Sequence, residues 1–232
     1  MQFVIDIAVI LLAYVFGSIP FGLLIVKLKT GKDIREVESG RTGGTNAMRA
    51  AGFWAGFITA ILDILKGAAA VWVARWFAPG NEWLHVIAPL ASIVGHNYSI
   101  FLQERDENGK FLRLRGGAGG APSVGGAVGL WPASILIILP LGMLTFFTLG
   151  IASITTMAVA LFVIIVFAIR AAQGFIPWIY IWFGVGAEVL LIWALRPNLE
   201  RLFEGKERIV KYSLNGWLHA RREAKGGKAN TQ

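Results

Sequence analysis

Apolar residues along this chain fall in long continuous blocks. They lie at Phe3–Val26, Phe53–Phe77, Leu84–Leu102, Gly119–Trp131, Ala133–Gly150, Ile154–Ile169 and Phe175–Leu195. A helix needs about 20 mostly apolar residues to cross a hydrocarbon core roughly 30 Å thick. The pattern therefore predicts an all-α fold, a polytopic membrane helical bundle of about seven transmembrane helices, built as one domain over residues 1–232. Gly119–Trp131 is short and glycine-rich, which suits a half-helix packed inside the bundle. The first block lacks a basic leading region, carries Asp6 and exceeds the apolar core of a secretory signal, so it reads as a retained helix.

The connections between blocks alternate in charge. Residues 27–50 hold Lys27, Lys29, Lys32, Arg35, Arg41 and Arg49, residues 103–118 hold Arg105, Lys110, Arg113 and Arg115, and the tail from about residue 196 is dense in Lys and Arg. The other connections, near Pro79–Trp83, Trp131–Pro132 and Arg170–Gly174, hold only Arg170. Basic loops stay on the cytoplasmic side, so the N-terminus is expected outside and the C-terminus inside, a parity that seven crossings satisfy. Trp76, Trp83, Trp131, Trp178 and Trp182 then fall near the outer interface as an aromatic belt.

Composition narrows the chemistry. The 232 residues are 56% hydrophobic and include no cysteine, which excludes disulfides, thiolate metal sites and a thiol nucleophile. His85, His96 and His219 lack zinc-site spacing, so no metal and no cofactor is expected. The net charge of +8 is concentrated in the loops of one side. It is read as membrane orientation, with the lipid bilayer as partner and no nucleic acid; oligomeric state stays open.

Three polar segments stand out, all on the basic side. In the first, Glu38 to Arg49, glycines permit an anion-binding nest of backbone N–H groups. Ser39, Thr42, Thr45 and Asn46 add neutral donors, and Arg41 and Arg49 can grip phosphate bidentately. The segment is no P-loop, because GxxxxGK[ST] is absent; the plainer reading is an exposed turn opening the next helix. The second, Arg113 to Ser123, places Arg115, Gly116, Gly117 and Gly119 before a helix start, where free N–H groups and the dipole favour anions. Gly125, Gly126 and Gly129 further along suit close packing between membrane helices. The third, Arg196 to Glu207, resembles a basic amphipathic helix on an anionic leaflet, although that explains Asn198 and Glu207 poorly. Asp63 and Lys66 lie three apart on one face of the second block, where ionisable residues need a polar partner. Snorkelling of Lys66 and a helix-to-helix contact by His96 are the alternatives to a site role.

In this order the segments resemble the bacterial membrane glycerol-3-phosphate acyltransferases that use acyl phosphate as donor. The resemblance runs through Gly17-Ser18-Ile19-Pro20-Phe21-Gly22, Asp33-Ile34-Arg35, Ser39–Arg49, Leu62-Asp63-Ile64-Leu65-Lys66-Gly67, Gly95-His96, the glycine run and Asn198–Glu207. It implies a seven-helix, multi-pass protein of the cell inner membrane. It also implies transfer of a fatty acyl group from acyl phosphate to the 1-hydroxyl of glycerol 3-phosphate, giving lysophosphatidic acid for phospholipid synthesis. Ser39, Arg49, Asn198 and Glu207 match the family's residues needed for activity, and Gly116, Gly117 and Gly119 match its glycerol 3-phosphate loop. With these we place Arg41, Thr45, Asn46, Lys66, His96 and Arg115 as substrate-binding. Acyl phosphate is already activated, so the resemblance implies attack without an acyl-enzyme, a substrate phosphate taking the proton.

Three positions depart from the family pattern. Arg41 replaces the asparagine of a serine-glycine-asparagine motif, Ala118 a loop lysine, and Leu195 a histidine. Arg41 is expected to return the charge missing at Ala118. A non-catalytic relative that binds anionic lipid or a phosphorylated metabolite is the alternative, and a small transporter a further one, for which no inverted repeat is visible. The His-x4-Asp pair of other acyltransferases is absent, since Phe101, Leu90 and Ala224 stand five residues after the three histidines. Asp63 is the one aspartate inside an apolar block apart from Asp6 near the start of the first, so the aspartate cluster of metal-dependent phosphatidyl transferases is missing too.

Overall fold

The structure is a computed structural model that describes residues 1–229. Its helices are α1 (Gln2–Gly17), α2 (Phe21–Thr30), α3 (Gly44–Ala51), α4 (Phe53–Phe77), α5 (Glu82–Asn97), α6 (Gly120–Leu130), α7 (Ile135–Leu149), α8 (Ala152–Ala172), α9 (Ile181–Phe203) and α10 (Leu214–Ala229). Among the described residues, five stretches are long and apolar enough to cross a membrane: Gln2–Thr30, Phe53–Phe77, Pro132–Leu149, Ala152–Ala172 and Trp178–Phe203. The other two apolar blocks become α5, of 16 residues, and α6, of 11.

Two expectations change in detail. The first block is not one helix: α1 ends at Gly17 and α2 begins at Phe21, because Pro20 has no N–H to give and disfavours helical backbone at Ile19. The fold is also not wholly helical. Strands β1 (Gln103–Arg105) and β2 (Phe111–Leu114) form an antiparallel hairpin. Asp106 Oδ1 nucleates its turn by accepting from Asn108 N at 2.9 Å and Lys110 N at 2.8 Å, and Gly109 takes the left-handed conformation with φ 76°. Local side-chain-to-backbone bonds of this kind leave no apolar periodicity for a sequence reading to find.

Small residues bring the central helices together. A Cβ on Gly67 of α4 would strike the Pro122 carbonyl of α6, and one on Gly125 of α6 would strike the Ile64 carbonyl of α4. Gly17 of α1 and Gly95 of α5 meet each other's helices in the same manner, against the backbones of Ser92 and Tyr14. Lipid tails are as apolar as leucine, so close van der Waals contact rather than hydrophobic burial holds such helices together. Phe167, Phe183, Ile93 and Leu191 fill the remaining core between α5, α6, α8 and α9.

The two poles differ. At one, Arg75 Nη2 donates to Leu130 O at 2.8 Å and to the Tyr180 hydroxyl at 3.2 Å. That hydroxyl lies 3.3 Å from His85 Nδ1, so the ends of α4, α5 and α6 are tied to the turn before α9. Trp76, Trp83, Trp178 and Trp182 are exposed there. The other pole gathers the 31–43 loop, the hairpin, the glycine run and the chain after α9.

Replacing Gly125 by Leu forces α6 off α4, an overpacking that costs about 1–3 kcal/mol. The expected outcome is a lower thermal midpoint in detergent for Gly125→Leu, with Gly80→Leu, where a Cβ meets open space, unchanged.

Candidate active site

Asp33 opens the basic loop as a cap: its Oδ1 accepts from Arg35 N at 2.8 Å, and Arg35 returns its guanidinium to the carboxylate, Nη2 to Oδ2 at 2.6 Å. That hydrogen bond holds the Asp33 carboxyl below its ordinary range. The chain then bends twice with positive φ, at Glu38 (47°) and Gly40 (65°). Asn46, buried at the start of α3, fastens the bend. Its Nδ2 donates to Ile34 O, Val37 O and Arg41 O at 3.1, 2.9 and 2.9 Å. Thr42 N donates to Gly116 O at 3.2 Å, which lays the loop against the glycine run.

Arg41 points inward from this loop. Its Nη1 donates to Gly117 O at 2.8 Å, and its Nη2 donates to Ala194 O at 2.6 Å and Asn198 Oδ1 at 3.2 Å. Pro197 lies inside α9 without an N–H, so Trp193 O, robbed of its i+4 donor, takes Arg196 Nε at 3.2 Å instead. Asn198 Nδ2 passes the network to Glu207 Oε1 at 2.9 Å, whose Oε2 accepts from Arg201 Nε at 3.2 Å. Burial lowers the proton affinity of Arg41, and Arg201 adds to this, while Glu207 works against it.

The glycine run packs onto the end of α5. Gly117 N donates to His96 O at 2.8 Å, and the His96 Nε2 atom occupies the space a Cβ on Gly117 would need. Beneath it lies a buried trio. Lys66 Nζ is 2.8 Å from Asp63 Oδ1, 2.9 Å from His96 Nδ1 and 3.1 Å from Ile19 O.

These elements enclose a cavity of about 380 Å³. One end is polar, with Ser39, Arg41, Arg49, Asn198, Glu207 and Arg208. An apolar arm continues between α4, α6, α7 and α8, past Phe57, Ile64, Val124, Met143, Phe146 and Val159. Of the residues expected at a site, Ser39, Arg41, Thr45, Asn46, Arg49, His96, Gly119, Asn198 and Glu207 line this cavity, and Lys66, Arg115, Gly116 and Gly117 do not.

Lys66, expected at the phosphate, has its ammonium within 3.1 Å of three protein atoms. Arg115 also faces elsewhere, toward Glu104 at 3.6 Å and Gly40 O at 3.5 Å. Gly116 and Gly117 are buried supports beneath Arg41 and against His96. Sequence reasoning missed Arg208, which lines the cavity and reaches Glu38 O at 2.9 Å, and the apolar arm, whose residues look like any lipid-facing ones. Asp63 was visible only as a partner for Lys66. Among the described residues no group of acidic, histidine or cysteine side chains is arranged to hold a metal ion.

The family model for glycerol-3-phosphate acyltransferase matches residues 7–205. The chain belongs to the glycerol-3-phosphate acyltransferase family. A curated acyltransferase from Thermus thermophilus is 38% identical over 199 residues, covering 86% of this chain and 92% of the relative. One from Rubrobacter xylanophilus is 34% identical over 206 residues, covering 88% and 94%. Among solved structures, the fold is similar to PlsY, described as an integral membrane glycerol 3-phosphate acyltransferase. Its glycerol 3-phosphate form gives a TM-score of 0.74 at 28% identity, over 88% of this chain and 94% of PlsY. Its lysophosphatidic acid form gives 0.71 at 27%. In this chain the family match stops short of Glu207 and Arg208, both of which line the cavity.

Asn46→Asp removes both amide hydrogens, which three carbonyls share, and turns a carboxylate toward those carbonyl oxygens. Losing buried hydrogen bonds costs about 1–3 kcal/mol, so amide exchange across residues 34–41 is expected to rise by about ten- to a hundred-fold, read by hydrogen-exchange mass spectrometry.

Proposed function

We propose that the protein transfers a fatty acyl group from acyl phosphate to the 1-hydroxyl of glycerol 3-phosphate, releasing lysophosphatidic acid and inorganic phosphate. The observation that carries this reading is the two-part cavity. A polar, arginine-bearing end suits two phosphorylated head groups, and the apolar arm suits one acyl chain. Family membership supports the acceptor. The donor follows from chemistry: acyl phosphate is a mixed anhydride, so positioning and charge stabilisation suffice without a thiol or an acyl-enzyme.

In this reading Arg49 and Arg41 divide the phosphate charge. Arg49 is exposed and forms no hydrogen bond or ion pair among the described residues, which leaves its planar fork for substrate. Ser39 Oγ, on the same wall, orients a head group. Arg41 supplies the cation that a lysine at 118 brings in the family pattern, since its guanidinium already bonds Gly117 O, one residue before Ala118. Asn198 and Glu207 act on substrate through the same network, by fixing Arg41.

Purified protein in detergent, given acyl phosphate and labelled glycerol 3-phosphate, is expected to form lysophosphatidic acid. A charge-assisted hydrogen bond is worth about 1.5–3 kcal/mol, so Arg41→Asn should weaken glycerol 3-phosphate binding by roughly ten- to a hundred-fold, and adding Ala118→Lys should restore much of it. Full activity in Arg41→Asn would show that Arg41 is not the replacement cation. No turnover in the parent would favour a binding protein over an enzyme.

We further infer seven passes through the inner membrane, with the N-terminus outside and the cavity's polar end cytoplasmic, because the basic loops and the tail share that pole. Single cysteines at Asn81 and Asn108 test it: an impermeant thiol reagent applied to intact cells should label the first and spare the second. The reverse pattern would invert the orientation.

A further inference from the structure

Helix α10 leaves the bundle at the end of a span. Asn215 Nδ2 donates at 3.0 Å to the carbonyl of Leu149, the last residue of the apolar stretch Pro132–Leu149. Just before α10, Tyr212 leans on Phe146 and Phe147 of α7 and is itself exposed. A span ends at the boundary between lipid and water, where tyrosine and tryptophan rings settle. The first turn of α10 is therefore fixed at headgroup depth.

Past that turn the described part of the bundle gives the helix nothing to pack on. Residues 217–221 are all exposed, with Leu214 at 54%, Trp217 at 48% and Leu218 at 40%. Leu214, Trp217, Leu218 and Arg221 follow one another at i, i+3, i+4 and i+7, which is one face of a helix. The Arg221 guanidinium lies 3.9 Å over the Trp217 ring, so its charge rides at the edge of the apolar strip. A helix of 16 residues is marginal in water by itself, and Gly216, Gly226 and Gly227 weaken it further. The surface that completes it has to be apolar at one level and negative at the next.

Charge selects the occupant. From Lys211 onward the sequence places Lys211, Arg221, Arg222, Lys225 and Lys228 against a single acidic residue, Glu223. Anionic headgroups attract a basic segment that starts at the membrane edge, and the bilayer is already present at the level of Leu149. We propose that α10 docks on the bilayer surface beside α7. Leu214, Trp217 and Leu218 then enter the boundary between headgroups and acyl chains, and Arg221 lies among anionic phospholipid headgroups, as in helices that rest on a membrane without crossing it. Docked in this way, α10 anchors the segment that carries Glu207 and Arg208 at the cavity wall. The docking needs the bilayer alone and does not depend on acyl transfer.

Nanodiscs of phosphatidylcholine holding one copy of the full chain, with and without phosphatidylglycerol, test this by hydrogen-exchange mass spectrometry. Each basic residue near an anionic surface is worth about fivefold in binding, so exchange across residues 214–221 is expected to slow about tenfold or more when phosphatidylglycerol is present. High salt is expected to erase that slowing. Arg221→Glu should abolish it, and Arg221→Lys, which keeps the charge, should retain most of it. The chain has no cysteine, so a nitroxide on Leu218→Cys reports depth without interference. It is expected to be reached by dissolved oxygen and shielded from a soluble nickel chelate, whereas one on His219→Cys meets the chelate freely. Equal exchange in the two lipid compositions, or equal chelate access at the two positions, would overturn the proposal. Protection seen only in discs that hold two copies would assign the face to a second chain and overturn it as well.

Discussion

The Arg41 guanidinium holds together parts of the chain that local structure does not. It bonds Gly117 in the glycine run and Ala194 and Asn198 on α9, residues 76, 153 and 157 positions away. A guanidinium largely removed from water is tolerated only when its donors are used and a countercharge lies near. Glu207 provides the countercharge at one remove, through Asn198. Pro197, having no N–H, frees one carbonyl of α9, that of Trp193, and Arg196 takes it.

The scaffold beneath that network is set by missing side chains. Gly67 and Gly125 let α4 and α6 touch backbone to backbone, which fixes the depth at which Asp63 and Ile64 face the cavity. Gly117 yields its Cβ space to His96, so the imidazole comes to rest between the glycine run and Lys66. The polar trio is therefore positioned by packing, and its members share one ammonium. A buried lysine with three acceptors is neutralised locally, behind the cavity rather than in its lining.

Much of this was legible in the sequence, and the illegible part has a common cause. Apolar blocks announce helices because the hydrocarbon core demands unbroken backbone bonding, and every block does contain one. The glycines and arginines of the basic loops announce an anion site through their donor types. What composition cannot convey is which donor meets which acceptor. Lys66 looked free for phosphate because Ile19 O and His96 Nδ1 are 47 and 30 residues distant. Arg115 looked equivalent to Arg41, and only the fold turns one toward Glu104 and the other inward. Met143 and Phe146 carry no mark in the sequence to separate a cavity wall from a lipid-facing surface. The hairpin was hidden for the opposite reason, since its cause is a single aspartate at a turn.

The chain past residue 205 adds a constraint that the family match does not include. Arg208 reaches Glu38 at 3.3 Å on the loop side of the cavity, while Val210 N donates to Gly150 O at 2.7 Å at the turn between α7 and α8. Tyr212 leans on Phe146 and Phe147 of α7, with ring centroids 6.2 and 6.5 Å away, and its hydroxyl lies 3.6 Å from Met48 Sδ of α3. Gly150, at φ 69°, leaves the space that the Ser213 side chain fills. This strap thus spans from the arginine-bearing wall to the apolar one. With it, the loop carrying Glu38 and the turn between α7 and α8 are joined by one short segment of chain, in addition to the helix packing of α3 on α4 and of α7 on α6 and α8.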